Sequence, residues 1–325
     1  MASSNKISDH DTLRGLEVWR ESWLPENATP SPAAECKCAP CTGFRCCCSP
    51  MFFLVFGIVA ITYGPYVLWL PHETLWSQFC IVVFHVLVLL LLASYVMAVF
   101  TDPGTTPTAW VQLVEADPNL AAEHHLCVRT KVFRPLRSHF CSVTQRVVLN
   151  MDHFCPWVVN TVGFYNRKFF ILFLLYTLLA TSWVLLTCMP LILELHRNHA
   201  ALHALERKWG NTKFMFSFMG CMLNAALCIM LSCFCPFHIR MAMLNETTIE
   251  GPSPAFDVGY RKNWQQVFGK NPWIWFLPVW GGGPAGDGLH WPSRHAKAAE
   301  DKTSEELEGG RLLSSREVDS ESSVE

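Results

Sequence analysis

The stretch WSQFCIVVFHVLVLLLLASYVMAVF, residues 76–100, indicates the fold class because it contains no Asp, Glu, Lys or Arg. About 20 consecutive apolar residues are enough for a helix to cross a hydrocarbon core of roughly 30 Å. Residues 51–70, 169–193 and 214–235 have the same character. Lipid offers no hydrogen-bond partners to backbone amides, so each segment is expected to be helical. The sequence predicts an α-helical polytopic membrane protein with four transmembrane helices.

Composition agrees with this class, since 51% of the 325 residues are hydrophobic and only 16% are charged. Lys and Arg are frequent in residues 101–168 and absent from residues 71–75. Because basic residues concentrate on the cytosolic side, residues 101–168 and both termini are predicted to be cytosolic. The connection between spans three and four weakens this prediction, because it also contains four basic residues: Arg197, Arg207, Lys208 and Lys213.

These patterns divide the chain into consecutive regions. The tail is predicted to be disordered because it is rich in Ser, Glu and Lys and has too little apolar surface to bury. The regions are a cytosolic N-terminal segment with a cysteine cluster (residues 1–50), helices one and two (51–100), a cytosolic catalytic domain (101–168), helices three and four (169–236), a cytosolic C-terminal region (237–292) and the tail (293–325).

The cysteine cluster is CKCAPCTGFRCCC, residues 36–48, just before the first span. Thiols in the cytosol or inside a membrane stay reduced, so the 15 cysteines of the chain do not indicate a disulfide framework. A metal knuckle is an alternative, but the cluster has no histidine and its spacing fits no common zinc pattern. Thiols at a membrane edge favour reversible S-acylation, and the candidates are Cys46, Cys47 and Cys48.

Three residues between spans two and three have the chemistry of a nucleophilic site. Asp152, His153 and Cys155 lie within four residues of one another. A cysteine attacks as its thiolate, and an imidazole oriented by a carboxylate can take the thiol proton. The alternative is a chance triplet in a loop whose side chains do not converge.

The surrounding sequence makes chance a poor explanation. The pattern R-S-H-x-C-S followed by M-D-H-x-C-P-W-x-x-N-x-V-G-x-x-N-x-x-x-F, within residues 137–170, resembles the DHHC protein S-acyltransferases. Further marks of that family follow in order: Asp102-Pro103-Gly104 after span two, Thr247-Thr248-Ile249-Glu250 after span four, and Asn263 before Gln266-Val267-Phe268-Gly269. The resemblance covers approximately residues 51–292.

The resemblance implies a protein-cysteine S-palmitoyltransferase. Cys155 would accept a fatty acyl group from acyl-coenzyme A as a thioester and pass it to a protein thiol. His153 would be the base and Asp152 its orienting carboxylate, with Thr248 and Asn263 bracing the site. The expected partners are acyl-coenzyme A as co-substrate, membrane-associated proteins with cytosolic cysteines, and the bilayer, without nucleic acid. The expected location is the endomembrane system, meaning Golgi, endoplasmic reticulum, endosome or plasma membrane.

The resemblance also implies two structural zinc sites, each with four ligands. Thr, Val and Phe cannot ligate zinc, so neither site has enough ligands even if His139 takes part. We predict that zinc is absent and that a small apolar core replaces it. The positions are Cys127, Thr130, Phe140 and Val147 for one site, and Cys141, Thr144, Phe154 and Thr161 for the other.

Ala180 is the predicted end of an acyl-chain tunnel. It lies about 11 residues beyond Phe169, which at 1.5 Å per residue is about 16 Å into the bilayer. In the family a bulky residue at this depth closes the tunnel, whereas alanine would leave room for a longer chain. The alternative is that Ala180 only packs against another helix, as small residues often do in membranes.

Two other functions remain open at the level of sequence. A catalytically inactive scaffold or chaperone could have the same fold, but it would have no need for Cys155 together with its base and bracing motifs. A channel or transporter is suggested only by the four spans and by polar groups such as His85. An intramembrane histidine of this kind more often hydrogen-bonds a neighbouring helix.

Overall fold

The computed structural model describes residues 49–69 and 73–292. The cysteine cluster and the predicted disordered tail lie outside the described residues. Two short 3-10 helices, Pro254–Phe256 and Pro272–Ile274, occur near the C-terminal end. The other elements in chain order are α1 (Pro50–Trp69), α2 (Leu75–Phe100), α3 (Thr108–Ala116), α4 (Pro118–Glu123), β1 (His125–Cys127), β2 (Val132–Arg134), β3 (His139–Cys141), β4 (Arg146–Val148), β5 (His153–Cys155), β6 (Asn160–Val162), α5 (Arg167–Arg197), α6 (His199–Leu244) and α7 (Tyr260–Phe268).

Four helices, α1, α2, α5 and α6, are long and apolar enough to cross a membrane, which confirms the predicted fold class. The third and fourth are longer than the predicted spans: α5 has 31 residues and α6 has 46. The 31 residues of α5 measure about 46 Å, so this helix extends beyond a hydrocarbon core of about 30 Å. The connection between spans three and four is itself largely helical, and α6 kinks at Gly210, where φ is 75°. Glycine adopts this positive φ without steric cost.

The spans pack around α5, which contacts both α2 and α6, while α1 lies against α6. Their common core includes Phe84, Tyr95, Leu172 and Ala180, all buried. His85 in α2 is bonded to Tyr63 in α1, with 2.8 Å between Nε2 and the phenolic oxygen. This interhelical bond accounts for the intramembrane histidine without a transport function.

Between α4 and α5 the chain forms three antiparallel hairpins, β1–β2, β3–β4 and β5–β6. Each hairpin has a four-residue turn, and the last residue of the turn has a positive φ: 57° at Lys131, 55° at Gln145 and 51° at Val159. The same local geometry therefore occurs three times. The third hairpin carries His153 and Cys155, and Cys155 belongs to the same hydrophobic core as residues of the four spans.

Asparagine side chains attach the hairpins to the end of α2. The last carbonyls of a helix have no partner within the helix. Asn160 Nδ2 donates to the carbonyls of Val99 and Thr101 at 3.1 and 3.0 Å. Gly104 completes the attachment with a φ of 97°, and a Cβ there would lie 2.9 Å from the Tyr165 ring. The end of α2 therefore sets the height of the hairpins relative to the spans.

Candidate active site

Asp152 and His153 form the central contact of the site. His153 Nδ1 donates to Asp152 Oδ2 at 2.6 Å, and the carboxylate is completely buried. His153 begins β5 and Cys155 ends it, so the two side chains share one face of the strand. The Cys155 thiol is close enough to the imidazole to help raise the pKa of His153. With Nδ1 occupied by the carboxylate, Nε2 is the nitrogen that can receive a proton from sulfur.

The segment after α6 holds Asp152 from the opposite side. The Thr248 amide donates to Asp152 Oδ1 at 3.0 Å, and its hydroxyl donates to the Asp152 backbone carbonyl. Two further groups lie close to the carboxylate: Arg167 Nη2 is 3.9 Å from Oδ1, and His238 Nδ1 is 3.9 Å from Oδ2. In the sequence, Arg167 is one of the basic residues used to predict the topology, and His238 follows the fourth predicted span. The sequence therefore provides no reason to expect either residue near Asp152 and His153.

These contacts have opposite effects on the two titrating groups. Burial alone would raise the pKa of Asp152, but the His153 hydrogen bond, the Arg167 charge and the Thr248 amide lower it to about 2. Burial alone would lower the pKa of His153, but its hydrogen bonds with Asp152 and Cys155 raise it to about 9. The site therefore combines an ionised carboxylate with an imidazole whose raised pKa stabilises the imidazolium that forms when it takes a proton from a thiol.

Arg137 ties the hairpins to the segment after α6. Its Nε donates to both Glu250 carboxylate oxygens at 3.0 Å, and its Nη2 donates to Oε2 at 2.6 Å. Its Nη1 donates to Asn245 Oδ1 at 2.9 Å. The guanidinium lies 4.5 Å from the centre of the Phe256 ring and 4.4 Å from that of Trp291. A bidentate, aromatic-flanked arginine of this kind is a rigid connection.

Asn263, the other predicted bracing residue, makes its hydrogen bonds away from the Asp152–His153 pair. Its Nδ2 donates to the Met243 carbonyl and to Asp257 Oδ1, both at 2.7 Å. Its Oδ1 accepts from the Val258 amide at 3.1 Å. Asn263 therefore joins α7 to the end of α6, and its influence on the pair is indirect.

Three basic residues, Arg137 and the first two residues of α5, make internal contacts. Arg137 bonds Glu250, the Arg167 Nη2 donates to the Glu246 carbonyl, and Lys168 Nζ donates to two backbone carbonyls at 2.9 and 3.0 Å. All three are at most 5% exposed. They are therefore structural cations and are not free to bind the phosphates of coenzyme A.

The second set of predicted ligand positions converges around Cys141. The Cys141 Sγ accepts from Thr161 Oγ1 at 3.2 Å and from the Thr144 amide at 3.5 Å. Phe154 packs against the small core that contains Cys141 and Val148. Burial alone would raise the pKa of Cys141, but the hydrogen bonds from the two threonines lower it. The space around Cys141 is therefore filled by hydroxyl, amide and aromatic groups.

The first set is close together as well. Phe140 faces Val147 across the β3–β4 hairpin, and Val147 and Thr130 line the same surface depression. Thr130 lies in the turn that directly follows Cys127, at the end of β1. Three of the four positions of the first set are therefore close together, and none of these three side chains can ligate zinc.

Neither set fits a zinc ion, because each supplies one thiolate and no imidazole. Among residues 49–69 and 73–292, no group of three or more His, Cys, Asp or Glu side chains is arranged to hold a metal. The zinc content of the protein itself stays a prediction.

Ala180 is buried in the core of the bundle at 5% exposure. Val184, one turn further along α5, lines a cavity of about 310 Å³ between α1, α5 and α6. The cavity walls also include Tyr66, whose hydroxyl lies 2.8 Å from Thr187 Oγ1. Space is therefore present just beyond Ala180, while the lining of the tunnel by Ala180 stays a prediction.

Comparison with known proteins agrees with this geometry. A family model described as DHHC palmitoyltransferase matches residues 121–253, which include all three hairpins and Thr248. A relative from Arabidopsis thaliana, "Probable protein S-acyltransferase 13", is 33% identical over 268 residues, covering 74% of this chain and 87% of the relative. The chain belongs to the DHHC palmitoyltransferase family.

Other DHHC relatives extend the similarity across kingdoms. "Probable protein S-acyltransferase 14" of Arabidopsis thaliana is 34% identical over 272 residues, covering 73% of this chain and 86% of the relative. Human "Palmitoyltransferase ZDHHC20" is 30% identical over 311 residues, covering 79% of this chain and 80% of the relative. Within this family the chain is a variant, because Phe154 stands at the second histidine of the DHHC motif.

Proposed function

We propose that the protein is a protein-cysteine S-acyltransferase in which Cys155 carries the acyl group. Membership of the DHHC family supports the reaction class. The observation that carries the assignment of residues is the 2.6 Å bond from His153 Nδ1 to the buried Asp152 carboxylate, with Cys155 on the same face of β5. We also propose that residues 101–168 are the catalytic domain and that residues 1–50 and 237–292 are cytosolic.

In the first step the Cys155 sulfur attacks the thioester carbonyl of acyl-coenzyme A. A bond forms between this sulfur and the acyl carbon as the carbon–sulfur bond to coenzyme A breaks. His153 takes the thiol proton through Nε2 and gives it to the departing coenzyme A sulfur. Asp152 keeps the imidazole in position and balances the charge of the imidazolium while it carries the proton.

In the second step a substrate cysteine attacks the acyl-Cys155 thioester. The acyl carbon moves to the substrate sulfur, and His153 transfers the substrate thiol proton to Cys155. One thioester replaces another in each step, so the exchange is nearly balanced in energy and needs no ATP. An acyl chain of about 16 carbons is costly to expose, at roughly 0.8 kcal/mol per CH₂, which favours a site at the bilayer surface.

The orientation follows from the same reaction. Acyl-coenzyme A and cysteine substrates with free thiols are cytosolic, so the hairpins and both termini are placed on the cytosolic face. The substrates are membrane-associated proteins, and the location is within the endomembrane system. Cys46, Cys47 and Cys48 are proposed as autoacylation sites because they precede α1 at the membrane edge.

The test is acylation of purified protein by a clickable palmitoyl-coenzyme A, with hydroxylamine-sensitive label as the readout. Because the N-terminal cluster can also react, Cys36, Cys38, Cys41, Cys46, Cys47 and Cys48 are first changed to serine. In this background Cys155→Ser is expected to lose both the label and transfer to an added cysteine peptide. Cys141→Ser is a matched control, since this buried thiol lies on the neighbouring hairpin.

The inactive scaffold is the competing outcome. Label and transfer that are the same with and without Cys155 would contradict the enzyme assignment. Absence of label in the parent protein, when a known family transferase is labelled in parallel, would favour the scaffold.

A further inference from the structure

The segment NPWIWFLPVW, residues 271–280, is apolar, irregular and largely exposed. Trp273 is 89% exposed, Phe276 is 53% exposed, and Leu277 and Val279 are each 44% exposed. Exposed aromatic and aliphatic side chains clustered in one short segment mark a surface that contacts a partner or a membrane. The segment follows α7 and plays no part in the chemistry proposed above.

Two side chains of α5 fix the depth of this segment. Lys168 Nζ donates to the carbonyls of Ile274 and Val279 at 2.9 and 3.0 Å. The Tyr176 hydroxyl donates to the Phe276 carbonyl. Tyr176 lies eight residues after Lys168, which is about 12 Å along the helix axis. The segment therefore runs along α5 toward the middle of the span, with Phe276 at its tip.

The neighbouring span shows that Tyr176 lies at membrane depth. Phe173 of α5 packs on Tyr95 of α2, with ring centroids 5.2 Å apart. Tyr95 lies five residues before the end of α2 at Phe100, or about 7 Å inside that helix. Tyr176 is nearly one turn deeper still, so the tip reaches the level of the acyl chains.

Several polar groups of the segment's backbone have hydrogen-bond partners within the protein. Irregular backbone is tolerated at membrane depth only where its polar groups have partners in the protein. Three carbonyls accept from Lys168 and Tyr176, and the amides of Trp273, Ile274, Trp275 and Leu277 donate to acceptors within residues 271–274. Proline at positions 272 and 278 removes two further donors.

Basic residues accompany the apolar tip. Arg261, Lys262 and Lys270 are exposed on α7 and at its end. The Trp275 Nε1 donates to the Gly269 carbonyl at 2.9 Å, which fixes the segment to this helix. Apolar side chains next to Lys and Arg are the combination that binds an anionic membrane surface.

We propose that residues 272–280 form a membrane wedge that inserts into the leaflet on the side of the hairpins. Trp273, Phe276 and Leu277 contact phospholipid acyl chains, and the basic residues of α7 contact anionic headgroups. The wedge holds α7 and the preceding segment at a constant height above the spans. It depends on α5 crossing the bilayer and is independent of the acyl-transfer proposal.

The test places the photo-crosslinking amino acid p-benzoylphenylalanine at position 276 of the full-length protein in nanodiscs of phosphatidylcholine with phosphatidylserine. Mass spectrometry then detects phospholipid adducts after irradiation. Leu89, 66% exposed within α2, is the positive control, and Val143, 54% exposed on the β3–β4 turn, is the matched negative control. Adducts are expected at positions 276 and 89 and not at 143. Adducts at 89 without any at 276 would overturn the wedge.

The charge component is tested in the same nanodiscs. Adducts at position 276 are expected to contain phosphatidylserine in more than its molar share. Arg261→Gln, Lys262→Gln and Lys270→Gln together are expected to remove this excess while adducts with phosphatidylcholine persist. Equal lipid ratios before and after the three substitutions would overturn the role of the basic residues.

Discussion

At the scale of single residues, Asp152 is the group on which the site depends. It is completely buried, and an unpaired carboxylate there would be strongly destabilising. His153 and Thr248 hydrogen-bond it, and Arg167 lies 3.9 Å away. The same contacts orient the imidazole, so the stability of this region and its chemistry share one set of interactions.

The pair should make stability depend on pH in a defined direction. The His153 contribution is fully present below its ordinary pKa of 6.5 and is lost as pH rises through about 9. The Asp152 contribution is present above 3.8 and is lost as pH falls through about 2. The Tm difference between wild type and Asp152→Asn should therefore be larger at about pH 6 than at about pH 9.5. Asp117→Asn, an exposed carboxylate, is the control, and an unchanged difference would contradict the prediction.

Acyl-chain preference should respond to the residue at position 180. Ala180→Tyr is expected to shift preference toward shorter acyl chains, because the ring occupies volume that terminal methylenes would fill. Each excluded methylene costs roughly 0.8 kcal/mol, or about fourfold in competition. Competition among acyl-coenzyme A species of 14, 16 and 18 carbons, with Leu179→Phe on the exposed side of α5 as control, measures the effect. Identical profiles for wild type and Ala180→Tyr would show that Ala180 does not line the tunnel.

At the scale of elements, the three hairpins share one turn geometry although Thr, Val or Phe stands at six of the eight ligand positions that the resemblance implies. Structural zinc contributes roughly 10–16 kcal/mol in finger peptides, and a buried Phe or Val contributes roughly 1.5–3 kcal/mol. The small cores alone therefore do not replace two ions. The Arg137–Glu250 pair and the asparagine bonds to α2 connect the hairpins to larger elements, and these connections supply further stabilisation.

Metal analysis should find well under one zinc per purified chain, and chelators should hardly change the Tm, because Cys127 and Cys141 lack partner ligands. The matched control is a variant with Thr144→Cys, Phe154→His and Thr161→Cys. Together with Cys141 it has four ligands on a retained backbone, so it should bind zinc, or cobalt with tetrahedral absorption. Two tightly held zinc ions in the wild type would contradict the prediction.

At the scale of the whole molecule, orientation decides whether the site can meet acyl-coenzyme A. Two sequences fit the N-glycosylation pattern, at Asn27 and Asn245. Asn27 lies outside the described residues, and Asn245 is 2% exposed and bonded to Arg137 and Gln266. Because Asn245 is buried, it would carry no glycan on either side of the membrane. The glycosylation state of Asn27 is therefore the better test of orientation.

With the hairpins in the cytosol, Asn27 should carry no glycan. Ala200→Thr creates an acceptor at Asn198, which is exposed between α5 and α6, and this variant should gain an endoglycosidase-sensitive mass shift. Ala200→Ser adds a weaker acceptor at the same place, while Ala200→Val adds none and serves as the negative control. A glycan on Asn27 would reverse the orientation and remove the site from cytosolic acyl-coenzyme A.

The sequence by itself determined the class of fold and the family with its reaction class, because both are read from local patterns. A span is recognised from the hydropathy of about 20 consecutive residues, and Asp152, His153 and Cys155 lie in one short stretch whose alternation places His153 and Cys155 on one face. Distant packing is not needed for any of these inferences. The three hairpins were not predicted from the sequence, because each strand has only three residues.

Only the tertiary structure decided which polar groups are paired in the interior. Arg137 meets Glu250 across 113 residues of chain, Lys168 meets Ile274 across 106, and Asn263 bonds the end of α6 and not the Asp152–His153 pair. In the sequence, Arg137 and Lys168 look the same as the basic residues that concentrate on the cytosolic side of a membrane protein. Helix packing buries these cations and so removes their contact with water. A buried donor or acceptor without water must hydrogen-bond a group of the protein, and the fold decides which group lies within reach.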